Sequence, residues 1–510
     1  MSAAQLNLGA ALPALSLAAG ACILFLLDAF IPKNRKVITA VLAVIGLVVS
    51  FVLSLGGFSV HTSAFSGMFI ADPFTALVNV ITIIATFMSI LVAYSYLQRT
   101  NMARGEFYPL LLISASGAMF MGSAGDLVVV FVGLELLSIP LYILAGFRRN
   151  DARSEESAMK YFLLGAFSTG FLVYGIALIY GATGTTSLQA IFNEIAAAKI
   201  TSPFLLLAGV GLLLVALGFK VAAVPFHMWT PDVYQGAPTP VTAFMSVAAK
   251  VGGFGALLRL VVFAIPALVL VQDAHATEIH AAWQVTVSVL AAATMILGNF
   301  VALTQRDIKR LLAYSSIAHA GYILMAVAAA GTIAVTTNAA GKQIVSLNFA
   351  QDAMQGALIY LLAYAFTNIG AFAVAISVER DDTSGTLLDD FAGLSARQPW
   401  LGTAMTIFML SLTGIPLTAG FTAKWFVFLP TINSGLGWLA LIGVLTSLIS
   451  AYYYLRVVVK IWLEPGQADG KLPFSLSSAV ALCVIGTVVL GVLPFIATNI
   501  AQTVTLVALK

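Results

Sequence analysis

Apolar runs of about 20 residues recur along the whole chain, each long enough to cross a hydrocarbon core as a helix. There are 14 of them, near residues 10–31, 37–57, 74–97, 108–123, 126–147, 160–181, 202–224, 238–264, 282–303, 308–330, 353–378, 400–430, 436–463 and 474–500. With 60% hydrophobic and 9% charged residues, the chain lacks the charge needed to solvate a soluble surface of this size. The expected fold is an all-α integral membrane protein, a single transmembrane domain over residues 1–510. The first run has no basic flank and no distinct small-residue cleavage pattern, so it reads as a retained helix.

The basic residues support the count. Numbered by the run they follow, the odd connections carry Lys33, Arg35, Lys36, Arg99, Arg104, Arg148, Arg149, Arg153, Arg306, Lys309, Arg310, Arg380, Arg397 and Lys471, and the even ones only Lys199 and Lys342. A missed span would scramble this bias partway along. The asymmetry sets the odd connections in the cytoplasm and both termini outside. The net charge of +3 then reflects membrane orientation and not nucleic-acid binding. Cys22 and Cys483 have no Cys or His at metal-ligand spacing, so no zinc site, iron–sulfur cluster or disulfide framework is expected.

Polar connections of any length occur only at 148–159, 182–201, 331–352 and 379–399, which leaves no room for a soluble domain. Residues 188–199 read as a short amphipathic helix. Two spans are broken by Pro and Gly beside a lysine, the seventh in Gly218–Pro240 and the twelfth in Leu412–Phe426. Paired breaks point to inverted repeats meeting at a mid-membrane site. The expected repeats, of five helices each, are 108–264 and 282–463, flanked by 1–97 and 474–510.

A charge in hydrocarbon costs roughly 2.5 to 3.5 kcal/mol on insertion scales, so it is seldom kept without a use. Glu135, Lys220, Lys250 and Lys424 lie inside spans, joined by His227 and His319. These residue types suit proton transfer. A lysine in a low-dielectric site releases its proton more readily, a nearby carboxylate holds the proton on, and histidine relays through either ring nitrogen. Each has a plainer alternative. Glu135 and Lys220 can be a static ion pair, Lys250 and Lys424 structural charges, His227 a cap for backbone freed at the break, and His319 a packed core histidine. Lys160, Arg259, Arg456 and Lys460 lie near helix ends and read as snorkelling side chains. Asp72 and Asp126 read as N-caps, Asp28 stays open, and His61, His275 and His280 read as solvated.

Three segments carry a family resemblance. PFHMWTPDVYQGAPTPVTAFMSVAAKVGGF (Pro225–Phe254) resembles the signature of the proton-translocating subunits shared by respiratory complex I and multi-subunit cation/proton antiporters. RDIKRLLAYSSIAHAGY (Arg306–Tyr322) and LSLTGIPLTAGFTAKWFVF (Leu410–Phe428) are similar to the same family. The PDVYQGAPTP form, the lysine at 424 and the end soon after the last run resemble the bacterial NADH–quinone oxidoreductase type without a long lateral helix.

The resemblance implies a role for each residue. Glu135 and Lys220 match the pair of the fifth and seventh helices, Lys250 the central lysine, Lys424 the outer proton-exchange lysine, and His227 and His319 relay positions. It implies no cofactor bound by this chain, with NADH, FMN, iron–sulfur clusters and quinone in other subunits of a translocase. The implied partners are neighbouring antiporter-like and small helical membrane subunits and lipid, with no nucleic acid. Rival readings are a sodium/proton antiporter subunit, a ferredoxin- or hydrogenase-linked relative, and a purely structural membrane subunit.

Overall fold

The computed structural model describes residues 6–504 except 33–34, 198, 271–273, 332–333, 338–342, 347 and 383; at 196, 262–270, 274–282, 334–337, 343–346 and 348–349 it describes the backbone alone. Lys33 and Lys342, and the side chains of His275 and His280, therefore lie outside the described residues.

Backbone amides in lipid must be satisfied within their own segment, and the chain meets this with helices. In order these are α1 (Leu8–Asp28), α2 (Val37–Leu55), α3 (Pro73–Arg99), α4 (Phe107–Gly122), α5 (Leu127–Ala145), α6 (Ala152–Thr183), α7 (Leu188–Ala196), α8 (Pro203–Val221), α9 (Trp229–Gly236), α10 (Thr239–Leu270), α11 (Ala274–Ala302), α12 (Ile308–Ala330), α13 (Asn348–Val378), α14 (Leu394–Arg397), α15 (Pro399–Thr413), α16 (Ala419–Asn433), α17 (Gly437–Trp462), α18 (Phe474–Val492) and α19 (Pro494–Gln502). Among the described residues, twelve helical segments are long and apolar enough to cross a membrane. The two remaining expected spans are α4, with 16 residues, and the twelfth span, divided into α15 and α16 of 15 residues each. Two short antiparallel ribbons, Thr62–Ala64 with Phe69–Ala71 and Ala334–Thr337 with Gln343–Ser346, interrupt the all-helical pattern in connections.

Hydrogen bonds between connections respect the expected sidedness. Arg99 and Lys471 both pair with Asp381, Arg310 pairs with Asp232, and Lys309 donates to the Ala237 carbonyl, all joining odd connections or their borders. The Ile70 amide donates to Ser123 O and the Leu127 amide to Thr186 O, joining even ones. The amphipathic helix expected at 188–199 is α7, which buries Leu188, Ile191 and Ile195.

One motif occurs twice. Asp126 caps α5 through the Val128 amide and accepts from Thr186 Oγ1 at 2.9 Å, while Leu127 and Leu188 amides bond across the same bridge. Asp307 caps α12 through the Arg310 amide and accepts from Thr386 Oγ1 at 2.7 Å, with Ile308 and Leu388 amides bonded likewise. The capped helices open the fifth and tenth spans, so the copies stand on opposite membrane faces, as an inverted repeat requires.

The centre is built from α3, α10, α12 and α13, whose membrane-spanning parts are mostly or wholly buried, whereas α1, α2 and α18 lie at the rim. Small residues bring helices together: a Cβ on Gly175 would come within 2.9 Å of Gly209 O, and one on Gly209 within 2.8 Å of Gly175 O. Phe167, Leu448 and Phe474 are exposed on the outside, as suits a lipid-facing surface.

Arg259 corrects an expectation. Instead of snorkelling it is buried and bidentate to Asp72, with both guanidinium nitrogens at 2.6 Å, and it also donates to Gly122 O at 2.9 Å. Asp72 and the Gly122 carbonyl satisfy the guanidinium inside the protein, so the side chain need not reach the interface. Asp72 also caps α3 through the Thr75 amide. Asp28 accepts from Lys36 at 2.8 Å and Thr39 at 2.6 Å. Lys160 pairs with Glu156 and Asp232, Lys460 with Asp389 and Glu464, and Arg456 donates to Leu303 O and Gln305 O. His61 is exposed.

Candidate proton pathway

Both broken spans stop their first half-helix in the same way. At α8 the chain turns left-handed at Ala222 (φ 63°), with the Ala223 amide reaching back to Gly218 O at 2.8 Å. At α15 it does so at Gly414 (φ 93°), with the Ile415 amide reaching Leu410 O at 3.0 Å. Each is a Schellman-type end, leaving carbonyl oxygens and the negative end of a helix dipole inside the protein. A lysine lies at each end. Lys220 lies in the last turn of α8. Lys424, from α16, reaches back to donate to Leu412 O at 3.2 Å, Thr413 O at 2.7 Å and Ser447 Oγ at 2.6 Å.

Lys220 is 2% exposed and donates to Ser138 Oγ at 2.8 Å and Tyr161 Oη at 3.2 Å. Glu135 is half-buried and accepts from Thr169 Oγ1 at 2.6 Å. No hydrogen bond or ion pair joins Glu135 to Lys220. Instead the lysine is held by Ser138, one turn further along α5 on the same face as Glu135.

Lys250, on α10, is 2% exposed and donates to Ser316 Oγ at 2.7 Å, with the Tyr364 ring centroid 5.9 Å away. Tyr234 Oη lies 3.4 Å from the same serine. From Lys220 toward that point the packing is aromatic: Tyr161 stacks on Trp229 at 4.5 Å, and Trp229 meets Tyr234 at 6.2 Å.

His319 follows Ser316 by one turn of α12 and is buried. Its Nδ1 lies 2.6 Å from Tyr360 Oη and its Nε2 3.2 Å from Tyr454 Oη, while Tyr454 also bonds Ser315. Tyr322, a further turn along, packs against His319 and bonds Asn299 and Thr446. Lys424 Nζ lies 5.0 Å from the Tyr322 ring centroid. The structure therefore brings Lys250, His319 and Lys424 into one buried polar row, and sets Lys220 at its near end. His227 stands apart: it is half-buried in the connection from α8 to α9, and its Nδ1 has no hydrogen-bond partner. Among the described residues no group of three or more His, Cys, Asp or Glu is placed to hold a metal ion.

A profile of the family described as NADH:quinone oxidoreductase/Mrp antiporter, transmembrane, matches residues 124–341 and 336–450. The chain is similar to NADH-quinone oxidoreductase subunit N 1 of Herpetosiphon aurantiacus, at 45% identity over 95% of this chain and 94% of that one. It is 43% identical to subunit N of Trichlorobacter lovleyi, over 98% and 96% of the two chains. The chain belongs to the NADH-quinone oxidoreductase subunit N family. Among solved structures, a chain of respiratory complex I from Thermus thermophilus with bound aureothin is 33% identical, with a TM-score of 0.78 over 97% of this chain and 99% of that one. A chain of the Mrp complex from Dietzia sp. DQ12-45-1b shares the fold at a TM-score of 0.80 and 20% identity, over 97% and 96% of the two chains.

In this member of the subunit N family the row contains more than the charged residues. Tyr161, Tyr234, Tyr322, Tyr360, Tyr364 and Tyr454 line it, all buried. Sequence reasoning passed over them because tyrosine in a membrane helix reads as an interfacial anchor. Two signals were available: Tyr360 and Tyr364 are four apart at mid-span, and Tyr454 sits in a run of three tyrosines deep within α17.

Proposed function

We propose that this chain is the antiporter-like, proton-translocating membrane subunit of an NADH–quinone oxidoreductase. It couples electron transfer, carried out in other subunits, to proton movement through its buried Glu, Lys and His. The observation that carries the reading is Lys250, a buried amine held by a neutral hydroxyl, in a chain whose two half-helix ends each carry a buried lysine. A structural charge at that depth calls for a counter-ion. Hydroxyls and imidazole suit a proton that has to leave.

In this reading an electrostatic change arrives at Glu135. Lys220, held by Ser138 and Tyr161, responds to that carboxylate at a distance. Its proton passes, by way of water and His227, toward Lys250, then by Ser316 and His319 to Lys424. The Lys424 amine at the end of α15 exchanges with the outer face, and reversal reloads the row from the cytoplasm. The odd connections face the cytoplasm and both termini the periplasm, in keeping with the basic-residue bias. Residues 108–264 and 282–463 form the two inverted repeats, a reading that the duplicated Asp126–Thr186 and Asp307–Thr386 motif supports. The chain's partners are the other membrane subunits of the complex, and the NADH, flavin, iron–sulfur clusters and quinone are bound elsewhere in the complex, outside this chain.

The test is to reconstitute the assembled complex in liposomes and follow NADH-driven quinone reduction and lumen acidification for wild type and Lys250→Met. Both falling in an intact complex supports the reading. Wild-type proton movement driven by a sodium gradient, with no NADH activity, assigns the chain to an antiporter instead.

A further inference from the structure

A second buried acid lies far from Glu135, and the row just described does not use it. Glu379 follows the last residue of α13 and is 3% exposed. One carboxylate oxygen accepts from Tyr96 Oη at 2.9 Å and the other from Thr239 Oγ1 at 2.5 Å. Lys309, 5% exposed, acts on it electrostatically, but its amine is bonded to Ala237 O at 2.7 Å. Burial pushes the Glu379 carboxyl up from its ordinary range, and Lys309, Thr239, Tyr96 and Arg99 pull it back.

Two features give Glu379 a route on each side. Outward, Tyr96 lines an open pocket of about 720 Å³ together with Gln98, Arg99 and Lys471, on the face of the odd connections. Inward, Thr239, Thr242, Ser246 and Lys250 recur along α10 at intervals of three, four and four, which confines them to an arc of about 80°. All four are buried. Asn368, from α13, donates to Ser246 Oγ at 2.6 Å, while its own Oδ1 and the Tyr364 hydroxyl are buried without a hydrogen-bond partner. Buried polar groups left open in this way are where internal water is held. At 1.5 Å per residue, the stripe from Thr239 to Lys250 covers about 16 Å.

We propose that Glu379 is the proton-loading group of a cytoplasmic half-channel that feeds Lys250 directly, along the Thr239–Ser246–Asn368 stripe. The inference rests on the proton-pathway reading above. The Glu379 carboxyl gives its proton through intervening water to the neutral Lys250 amine, leaving a carboxylate and an ammonium. Water in the Tyr96 pocket then returns a proton to the carboxylate. This places a loading route between the two broken spans, separate from Lys220.

The test uses the whole complex in liposomes, comparing NADH-driven acidification for Glu379→Gln, Glu379→Asp, Ser246→Ala and Lys250→Met. Glu379→Gln keeps the shape and one of the two acceptor oxygens but carries no transferable proton, so pumping should fall about tenfold or more while Glu379→Asp restores most of it. Ser246→Ala should slow pumping without touching Glu379, and it carries the test if Glu379→Gln does not assemble. Wild-type pumping in Glu379→Gln or Ser246→Ala, with Lys250→Met impaired, makes Glu379 a brace between α3 and α10 and overturns the inference while the pathway stands. Wild-type pumping in Lys250→Met overturns both.

Discussion

Lys250 donates to Ser316 at 2.7 Å, and this one hydrogen bond ties the eighth span to the tenth at the point where the row turns toward His319. A hydrogen bond to a charged group is worth about 1.5 to 3 kcal/mol, equivalent to roughly tenfold to a hundredfold in a rate that depends on it. Ser316→Ala should therefore assemble but pump at least about tenfold more slowly, with NADH-driven quinone reduction falling alongside. Acidification of proteoliposomes measures this, and wild-type pumping would falsify the placement of Ser316 in the path.

His319 is held from both sides, by Tyr360 at 2.6 Å and Tyr454 at 3.2 Å. Tyr454→Phe leaves the ring packed on Tyr453 and removes only the hydroxyl, which also bonds Ser315. One ordinary hydrogen bond corresponds to about 0.5 to 1.5 kcal/mol, so pumping should drop by about twofold to tenfold, more gently than in Ser316→Ala. If Tyr454→Phe is as damaging as deletion of the imidazole in His319→Ala, the hydroxyl itself is a station and not a support.

Lys424 closes the carbonyl end of α15, and in the proposed pathway it also carries the proton, two duties that mutation can separate. Lys424→Ala should lower the melting temperature of the isolated complex, by the equivalent of about 0.3 to 2 kcal/mol, and stop pumping. Lys424→Arg keeps a cation for the helix end, but the guanidinium stays protonated at all accessible pH values. It should thus keep stability and lose pumping. A fully active arginine variant would reduce Lys424 to a helix cap.

The Arg259–Asp72 pair is buried and bidentate, about two and a half turns along α10 from Lys250. Removing one partner of a buried pair costs about 3 to 5 kcal/mol, because the other charge is stranded. Arg259→Ala should cut the amount of assembled complex, whereas Arg259→Leu with Asp72→Asn should recover much of it. Pumping per assembled complex should be unchanged in both, a result readable from acidification normalised to subunit content.

Much of this was legible beforehand. Run length and basic-residue bias gave the spans, since lipid leaves a helix no alternative, and the four charged positions stood out against apolar neighbours. The two breaks were visible as Pro and Gly, yet which backbone groups they left open was not. Lys220 and Lys424 are on opposite sides of their breaks in sequence, but both lie at the end of the first half-helix, because α16 folds back on α15. Arg259 was misread because nothing near it in sequence announces Asp72, 187 positions away. Glu379 looked like one more charge in a polar connection until folding buried it between Tyr96 and Thr239.

The sequence by itself determined what each segment has to be, because hydrocarbon enforces internal hydrogen bonding residue by residue and penalises each charge where it stands. Only the tertiary structure decided which charges meet. It held Lys220 against Ser138 instead of Glu135, lined the path with tyrosines, and set Asn368 and Tyr364 facing the stripe that leads to Lys250. Hydrogen bonds reach about 3 Å, so such partners are chosen by helix packing, which brings together residues far apart along the chain.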